Sequence, residues 1–349
     1  MGLPDHRVLP NGPPKARLIM GLRPIVLVMI LVLLGLGALC VIYTRSSKLQ
    51  PIWITPTRYR DLKYTLRDHR NFTIVSAYFN LGTLRKGFKT TLSPGLYRQW
   101  ASFLTRILNP LVFYTDDVEF KALIESGRAH LPNLTKVIYV KKRETFWAFS
   151  LRDKIQRIYD DPKYPKYYPG TVSADYSCVQ HVKYELITDV LNRNIFPARY
   201  YAWLDAGYFR GISGSNAQYR LDVPHDFDDS RIAYTEIKRP KSKLSFHSVI
   251  VRNKLWVGGG MFIGTAQKLR GFFMQYQRAV ELSLRLGIMN VDQTILCAMF
   301  TENGRKLVQP SVEVQPYRPP KGHNPWFYLG YRCLWRVKST RDQDIGTMI

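Results

Sequence analysis

Apolar and polar positions are distributed along this chain in three distinct ways, and each predicts a different element. The first is an unbroken run, Ile25 to Tyr43, reading IVLVMILVLLGLGALCVIY with no charged residue. At about 1.5 Å rise per residue it spans about 28 Å, close to the hydrocarbon thickness of a bilayer. A buried core helix of that length shows a polar face, and this run shows none. A cleaved signal peptide is the alternative, but its apolar region is usually about 7–15 residues, followed by a small-x-small site. Thr44-Arg45-Ser46-Ser47-Lys48 matches that poorly. The run therefore reads as an uncleaved signal-anchor.

The second pattern is a set of short apolar, β-branched runs. Phe72–Ala77, Leu111–Tyr114, Lys136–Val140 and Arg199–Leu204 each read as a strand. The third is the helical stripe. Ser93-Pro94 opens a helix through about Leu108, with a cap and a proline at the first helical position. Thr115-Asp116-Asp117 caps another to about Ser126, and Thr145 to Tyr159 is again helical. Asp160 to Thr171, rich in Pro and Tyr, is a loop. Tyr176, Val179, Leu186, Ile187, Val190 and Leu191 then share one helical face. Strands and helices alternating at this spacing imply βαβ crossovers and a mostly parallel α/β sheet flanked by helices.

The parts divide as a tail at 1–24, the anchor at 25–43, a stem at 44–70, an α/β domain at 71–335 and a polar tail at 336–349. After the anchor about 300 residues remain, enough for a substantial core. Lys and Arg number 51 against 26 Asp and Glu, a formal net charge of +25. Nucleic acid is the usual partner for such a balance. No recognition helix or RNA-binding signature is present, however, and the basic residues are spread out, so no nucleic-acid partner is assigned. A basic protein on a cytosolic phospholipid surface is the weakest reading. A domain handling nucleotide-sugar phosphates or anionic glycans is also basic, as is a surface with no single ligand.

Charges flank the anchor almost evenly, with Arg7, Lys15, Arg17 and Arg23 before it and Arg45, Lys48, Arg58 and Arg60 after it. Positive-inside counting therefore decides little. Two sequons, Asn71-Phe-Thr73 and Asn133-Leu-Thr135, favour a lumenal body. With the short tail they point to a single-pass type II protein of the secretory pathway, its C-terminal domain lumenal and Golgi the usual home. Of four cysteines, Cys40 lies in the anchor. Cys178, Cys297 and Cys333 leave room for one disulfide and one free thiol, and show no zinc spacing.

Ligands of parallel sheets bind at the carboxyl ends of the strands, and two of these strands end in aspartate, at Asp116 and Asp205. Trp203-Leu-Asp-Ala-Gly-Tyr-Phe-Arg210 delivers a carboxylate to a strand mouth, with Gly207 allowing close backbone approach and Arg210 nearby. A divalent ion on a diphosphate needs only one or two protein carboxylates; a simple turn cap is the plainer role for Asp205. Trp256-Val-Gly-Gly-Gly-Met-Phe-Ile-Gly264 precedes a helix beginning near Thr265. Its glycines either approach a sugar or make a bend between strand and helix. Asp292 and Gln293 open an apolar segment, either as an acceptor-side acid and amide or as a helix cap. Lys321 and His323, before Pro325-Trp326, offer a cation and an imidazole. Alone, that histidine is more often structural than a ligand.

In their order these blocks resemble the HtrL (YibB) family. The matching segments are Thr73-Ile-Val-Ser-Ala-Tyr-Phe, Pro110-Leu-Val-Phe-Tyr-Thr-Asp, Tyr176-Ser-Cys-Val-Gln-His-Val-Lys-Tyr-Glu-Leu, Trp203-Leu-Asp-Ala-Gly-Tyr-Phe-Arg, the triple glycine and Val291-Asp-Gln. They cover roughly residues 72–300. The same succession is similar to the wider GT-A glycosyltransferases, with a Rossmann-like sheet in which a strand-end Asp-x-Asp holds a metal and a nucleotide-sugar diphosphate. That resemblance implies a glycosyltransferase moving sugar from a nucleoside-diphosphate sugar to a glycan or glycoprotein acceptor. It implies a divalent ion, manganese or magnesium, at Asp205 with His323. Asp292 and Gln293 would serve catalysis, and Asp116, Arg210, Gly258, Gly259 and Lys321 the nucleotide sugar. Gly207 stands where the second aspartate belongs, which puts metal use in question. It also keeps a second reading open, a non-catalytic glycan-binding or scaffold protein of the same fold.

Overall fold

A computed structural model describes residues 72–87 and 90–337. The tail at 1–24, the predicted anchor at 25–43, the stem, Asn71 and all but the first two residues of the C-terminal tail lie outside the described residues. Among the described residues no helix is long and apolar enough to cross a membrane.

The chain begins with β1 (Phe72–Tyr78), the paired short strands β2 (Leu84–Lys86) and β3 (Thr90–Leu92), and helix α1 (Pro94–Ala101). It continues through β4 (Leu111–Thr115), α2 (Val118–Gly127) and β5 (Thr135–Tyr139). Helices α3 (Trp147–Ser150), α4 (Arg152–Asp160) and α5 (Ala174–Asn192) lead to β6 (Tyr200–Leu204). Then come β7 (Tyr219–Leu221), β8 (Arg231–Glu236), α6 (Phe246–Val251) and β9 (Val257–Thr265). Last are α7 (Ala266–Arg285), α8 (Asp292–Met299), α9 (Glu302–Val308), β10 (Glu313–Tyr317), α10 (Tyr328–Cys333) and β11 (Leu334–Arg336).

Seven strands form the central sheet in the order β10-β8-β9-β6-β1-β4-β5. All are parallel except β9, which runs against both neighbours. The fold is thus mixed α/β, with a mostly parallel sheet covered on both faces by helices. Double-sided burial explains why the strands read as continuous apolar runs. Ile74 and Val75 are adjacent and fully buried, yet belong to opposite cores, because successive side chains leave a strand on opposite faces.

The caps act as their chemistry predicts. Ser93 Oγ accepts from the Leu96 amide at the start of α1, and Asp117 accepts from the Glu119 and Phe120 amides at the start of α2. Two expected helices are shorter than their patterns. The segment after Ser93 is α-helical only to Ala101, then tightens to a 3₁₀ turn over Ser102–Arg106. The segment Thr145–Tyr159 breaks at Leu151 into α3 and α4, where Glu185 of α5 accepts from the Trp147 and Ala148 amides and anchors the start of α3. No disulfide forms among Cys178, Cys297 and Cys333; all three are free and buried.

Candidate functional site

From β1 the chain steps outward through β4 and β5, then returns to place β6 on the other side of β1. The carboxyl ends of β1 and β6 are therefore a topological switch point, where open α/β sheets hold ligands. A cavity of about 170 Å³ lies there. Its walls come from the end of β1 (Ala77–Phe79), the turn after β6 (Asp205–Tyr208) and Gly260 of β9. Helix α5 adds Tyr176, Val179, Gln180 and Lys183, while Lys86, Tyr97, Arg210, Gln293, Trp326 and Phe327 complete the rim.

Lys183 is the centre of the polar wall. On α5 it lies four residues after Val179 and three before Leu186, within the apolar stripe that packs on the sheet, so its ammonium is carried inward. Asp205 follows Trp203 by two positions and shares its side of the sheet, where α5 packs. The Lys183 Nζ meets Asp205 Oδ1 at 3.2 Å, Asp292 Oδ2 at 3.4 Å and the Gly259 carbonyl at 3.1 Å. Its three N–H groups thus face three oxygens. Trp203 Nε1 also donates to Asp205 Oδ1, at 2.7 Å. The side chain of Lys183 is 2% exposed, that of Asp292 0%, and that of Asp205 40%. Burial alone would push the Lys183 ammonium down, but Asp205 and Asp292 together hold it above the ordinary lysine value. Burial raises the Asp292 carboxyl, with Lys183 opposing.

The glycine triplet makes this arrangement possible. It is not a bend before a helix but part of β9, which carries an irregularity there. The β8 partner shifts from Phe262 at Tyr234 to Gly258 at Thr235, leaving Gly259, Gly260 and Met261 looped out of that ladder. Bulges of this kind re-aim groups beside functional sites. Here the Gly260 carbonyl accepts the Asp205 amide at 2.8 Å and the Gly259 carbonyl accepts Lys183. A Cβ on Gly259 would stand 2.1 Å from Asp292 Oδ2, so the carboxylate fills the space a side chain would need.

Arg210 is held differently. Its guanidinium lies 4.9 Å from the Trp100 ring centre and 4.7 Å from that of Phe327, a double cation–π contact. Trp100 reaches it across Gly207, where a Cβ would stand 2.9 Å from the indole Cε3. Lys86 lines the same cavity. Crowding by surrounding protein, with the charge of Arg210 facing it, holds its ammonium below the ordinary lysine value.

Of the residues singled out from sequence, Asp205, Arg210 and Gln293 line the cavity. Asp292 does not. It is the first residue of α8, behind the wall, and reaches the cavity only through Lys183; nor is it the helix cap, which is Val291. Gly258 and Gly259 are likewise spacers, Gly258 facing Thr235 and Ile237. Asp116 lies in a neighbouring groove with Asn80, Arg98 and Tyr139, accepts the Asn80 amide at 2.8 Å, and is raised by burial. Lys321 and His323 are not in the cavity wall, and His323 packs edge-on to Tyr328. Lys183, Lys86, Tyr97 and Gln180 also line the cavity, although the sequence motifs assign none of them a role. A lysine inside an apolar helical stripe is the signal that marks the first of these.

The donor set does not fit a divalent cation. Asp205 Oδ1 already accepts from Lys183 and Trp203, which leaves Oδ2 of the same carboxylate as the one oxygen of its kind open to the cavity; Trp100 closes off position 207, and His323 does not line the cavity. Among the described residues no group of three or more His, Cys, Asp or Glu side chains is arranged to hold a metal.

Residues 70–309 match a family model described as a bacterial protein of unknown function, HtrL_YibB. The chain belongs to this family. The HtrL_YibB match runs from β1 through α9 and takes in Lys183, Asp205, Arg210 and Asp292; Trp326 and Phe327 lie beyond it. No curated protein matches the chain in sequence. Among solved structures, mouse xyloside xylosyltransferase 1 in its apo form is similar at 11% identity, over 71% of this chain and 85% of that one, with a TM-score of 0.36. Core-mannan synthase A from Aspergillus fumigatus, in a Mn/GDP form, is similar at 11% identity, over 74% of each chain, with a TM-score of 0.32.

Proposed function

We propose that this HtrL_YibB protein is a glycosyltransferase that moves a sugar from a nucleoside-diphosphate sugar to a hydroxyl of a glycan or glycoprotein. The observation that carries the reading is the meeting of Asp205 and the aromatic-clamped Arg210 in one cavity at the switch point of the sheet. In the transfer the bond from the sugar's anomeric carbon to the diphosphate oxygen breaks. A bond from that carbon to the acceptor oxygen forms, and the acceptor hydroxyl loses its proton. Negative charge grows on the departing diphosphate, so fixed cations facing it are the main electrostatic aid. Arg210 and Lys86 supply them. Asp205 is the sole carboxylate among the residues lining the cavity, and is assigned to take the acceptor proton or hold a sugar hydroxyl. Gln180 and Gln293 offer amides to the sugar, and Tyr97 and Trp326 apolar faces.

The test is release of nucleoside diphosphate from a panel of nucleotide sugars by the purified full chain. Asp205→Asn and Arg210→Gln are expected to lower turnover by about a hundredfold or more. Unchanged turnover in both removes the site. The second reading is a binding protein of the same fold. It is favoured by Asp292, whose complete burial takes one of the two expected acidic groups out of the cavity. Calorimetric binding of a nucleoside diphosphate without any sugar release selects it.

The proposal extends to location, with the run 25–43 as a type II anchor and the domain in the lumen of the secretory pathway, in the Golgi. Asn133, in an exposed turn, supports it as an accessible sequon. A mobility shift on glycosidase treatment that vanishes in Asn133→Gln is the expected result; no shift at either sequon argues for a cytosolic domain.

A further inference from the structure

The divalent ion that GT-A resemblance implies and the side chains present disagree, and the disagreement has a direction. A metal-bound diphosphate draws on one or two protein carboxylates free to ligate, and this cavity offers a single such oxygen, Asp205 Oδ2, on a carboxylate already paired with the Lys183 ammonium. Here the point between Asp205 and Asp292, where a cation would be drawn, already holds the Lys183 ammonium, with the Gly259 carbonyl as its third acceptor. A second acidic residue at position 207 is blocked by the Trp100 indole. That same indole forms one side of the clamp on Arg210. The residue that excludes the acid therefore fixes a cation in its place.

Two cations in the cavity wall, Arg210 and Lys86, form no ion pair with any carboxylate among the described residues. With Lys183 they set three positive groups against Asp205 and Asp292. We infer that the site holds a nucleoside diphosphate through Arg210 and Lys86 without a divalent cation, while Lys183 neutralises Asp205 from inside the wall. The inference deepens the nucleotide-sugar reading above and rests on it. Guanidinium groups bind phosphate oxygens in a two-pronged geometry. One already clamped between two rings gives up little freedom on binding. Lys183, by drawing charge from Asp205, lowers the repulsion that carboxylate would otherwise exert on a diphosphate.

The experiment uses the full chain, stripped with EDTA and titrated calorimetrically with UDP and with GDP, first in EDTA and then in excess manganese. Electron paramagnetic resonance of the manganese is followed in parallel. The expected result is binding of at least one nucleotide with Kd values in the two buffers agreeing within roughly threefold, and a free-manganese signal that the protein does not quench. Arg210→Gln is expected to weaken binding in EDTA by about tenfold or more, as loss of a charged hydrogen-bonding partner does. Lys86→Met, a change at the cavity rim outside both hydrophobic cores, is expected to act in the same direction. Binding that needs manganese, or tightens by about tenfold with it, overturns the inference and leaves the nucleotide reading standing. Unchanged binding in Arg210→Gln also overturns it. Failure of both nucleotides to bind in either buffer removes both readings.

Discussion

Gly207 and Trp100 are in such close contact that a methyl group on the glycine would lie 2.9 Å from the indole Cε3. The indole in turn packs on the Arg210 guanidinium, so position 207 controls whether that cation is held. Gly207→Asp restores the acidic spacing of Asp-x-Asp but forces Trp100 aside. It is expected to destabilise the fold by about 1–3 kcal/mol, the usual cost of overpacking, and to bring no manganese binding. Urea denaturation and manganese titration check the two halves; a stable variant that binds manganese contradicts this account of the site.

Lys183 offers a sharper test of the buried wall. Lys183→Met leaves Asp292 enclosed without a counter-charge, which costs roughly 3–5 kcal/mol when a buried pair is broken from one side. Adding Asp292→Asn removes the stranded charge, so the double variant is expected to be more stable than the single one. Losing Lys183 also raises the folded-state Asp292 value further. The native state of the single variant then binds a proton that the unfolded chain releases, and its deficit against the wild type is greatest near neutrality, narrowing as pH falls. A deficit independent of pH, measured by urea titration at several pH values, would place the cost in packing.

His181 predicts a second pH effect of the opposite sign. It is fully buried, its Nδ1 2.6 Å from the Tyr276 hydroxyl, and burial, aided by the Lys183 charge, depresses it to about 3. A depressed histidine leaves the unfolded chain with more protons, so stability falls as pH drops from 6.5 toward 3. The slope from one such group approaches about 1.4 kcal/mol per pH unit. His181→Gln, which can still accept from Tyr276, is expected to flatten the curve by that amount. Identical slopes mean that the native imidazole protonates freely.

The thiols give a simple count. Burial pushes Cys178 up to about 12 and Cys297 up to about 11, and raises Cys333 as well. In a Cys40→Ser background no thiol is expected to react with Ellman's reagent in the native state, and all three in denaturant. One reactive thiol after unfolding reveals a disulfide.

What could be read from sequence follows from what each residue contacts. β1, β4 and β6 are legible because strands covered on both faces are continuously apolar. β8 mixes charged ends with a short apolar centre, and β10 is an edge strand interrupted by Pro316, so neither shows a strong period. Asp205 is legible because it terminates a strand, and Arg210 because it lies just beyond. Asp292 reads as a cap, since nothing in its neighbours reveals that a lysine more than a hundred residues earlier neutralises it. Lys183 was visible as an interruption in the stripe from Val179 to Leu186, but an interrupted stripe does not say which carboxylates it meets. The glycines misread for a related reason: a bend and a bulge demand the same residue.

The clamp on Arg210 draws its two rings from opposite ends of the folded sequence, Trp100 early and Phe327 close to the last described helix. A chain emerging from synthesis therefore makes the arginine long before it has the second ring to immobilise it. Truncation ahead of Phe327 leaves the sheet strands β1, β4, β5, β6, β8, β9 and β10 all encoded, yet Arg210 with one ring against it instead of two.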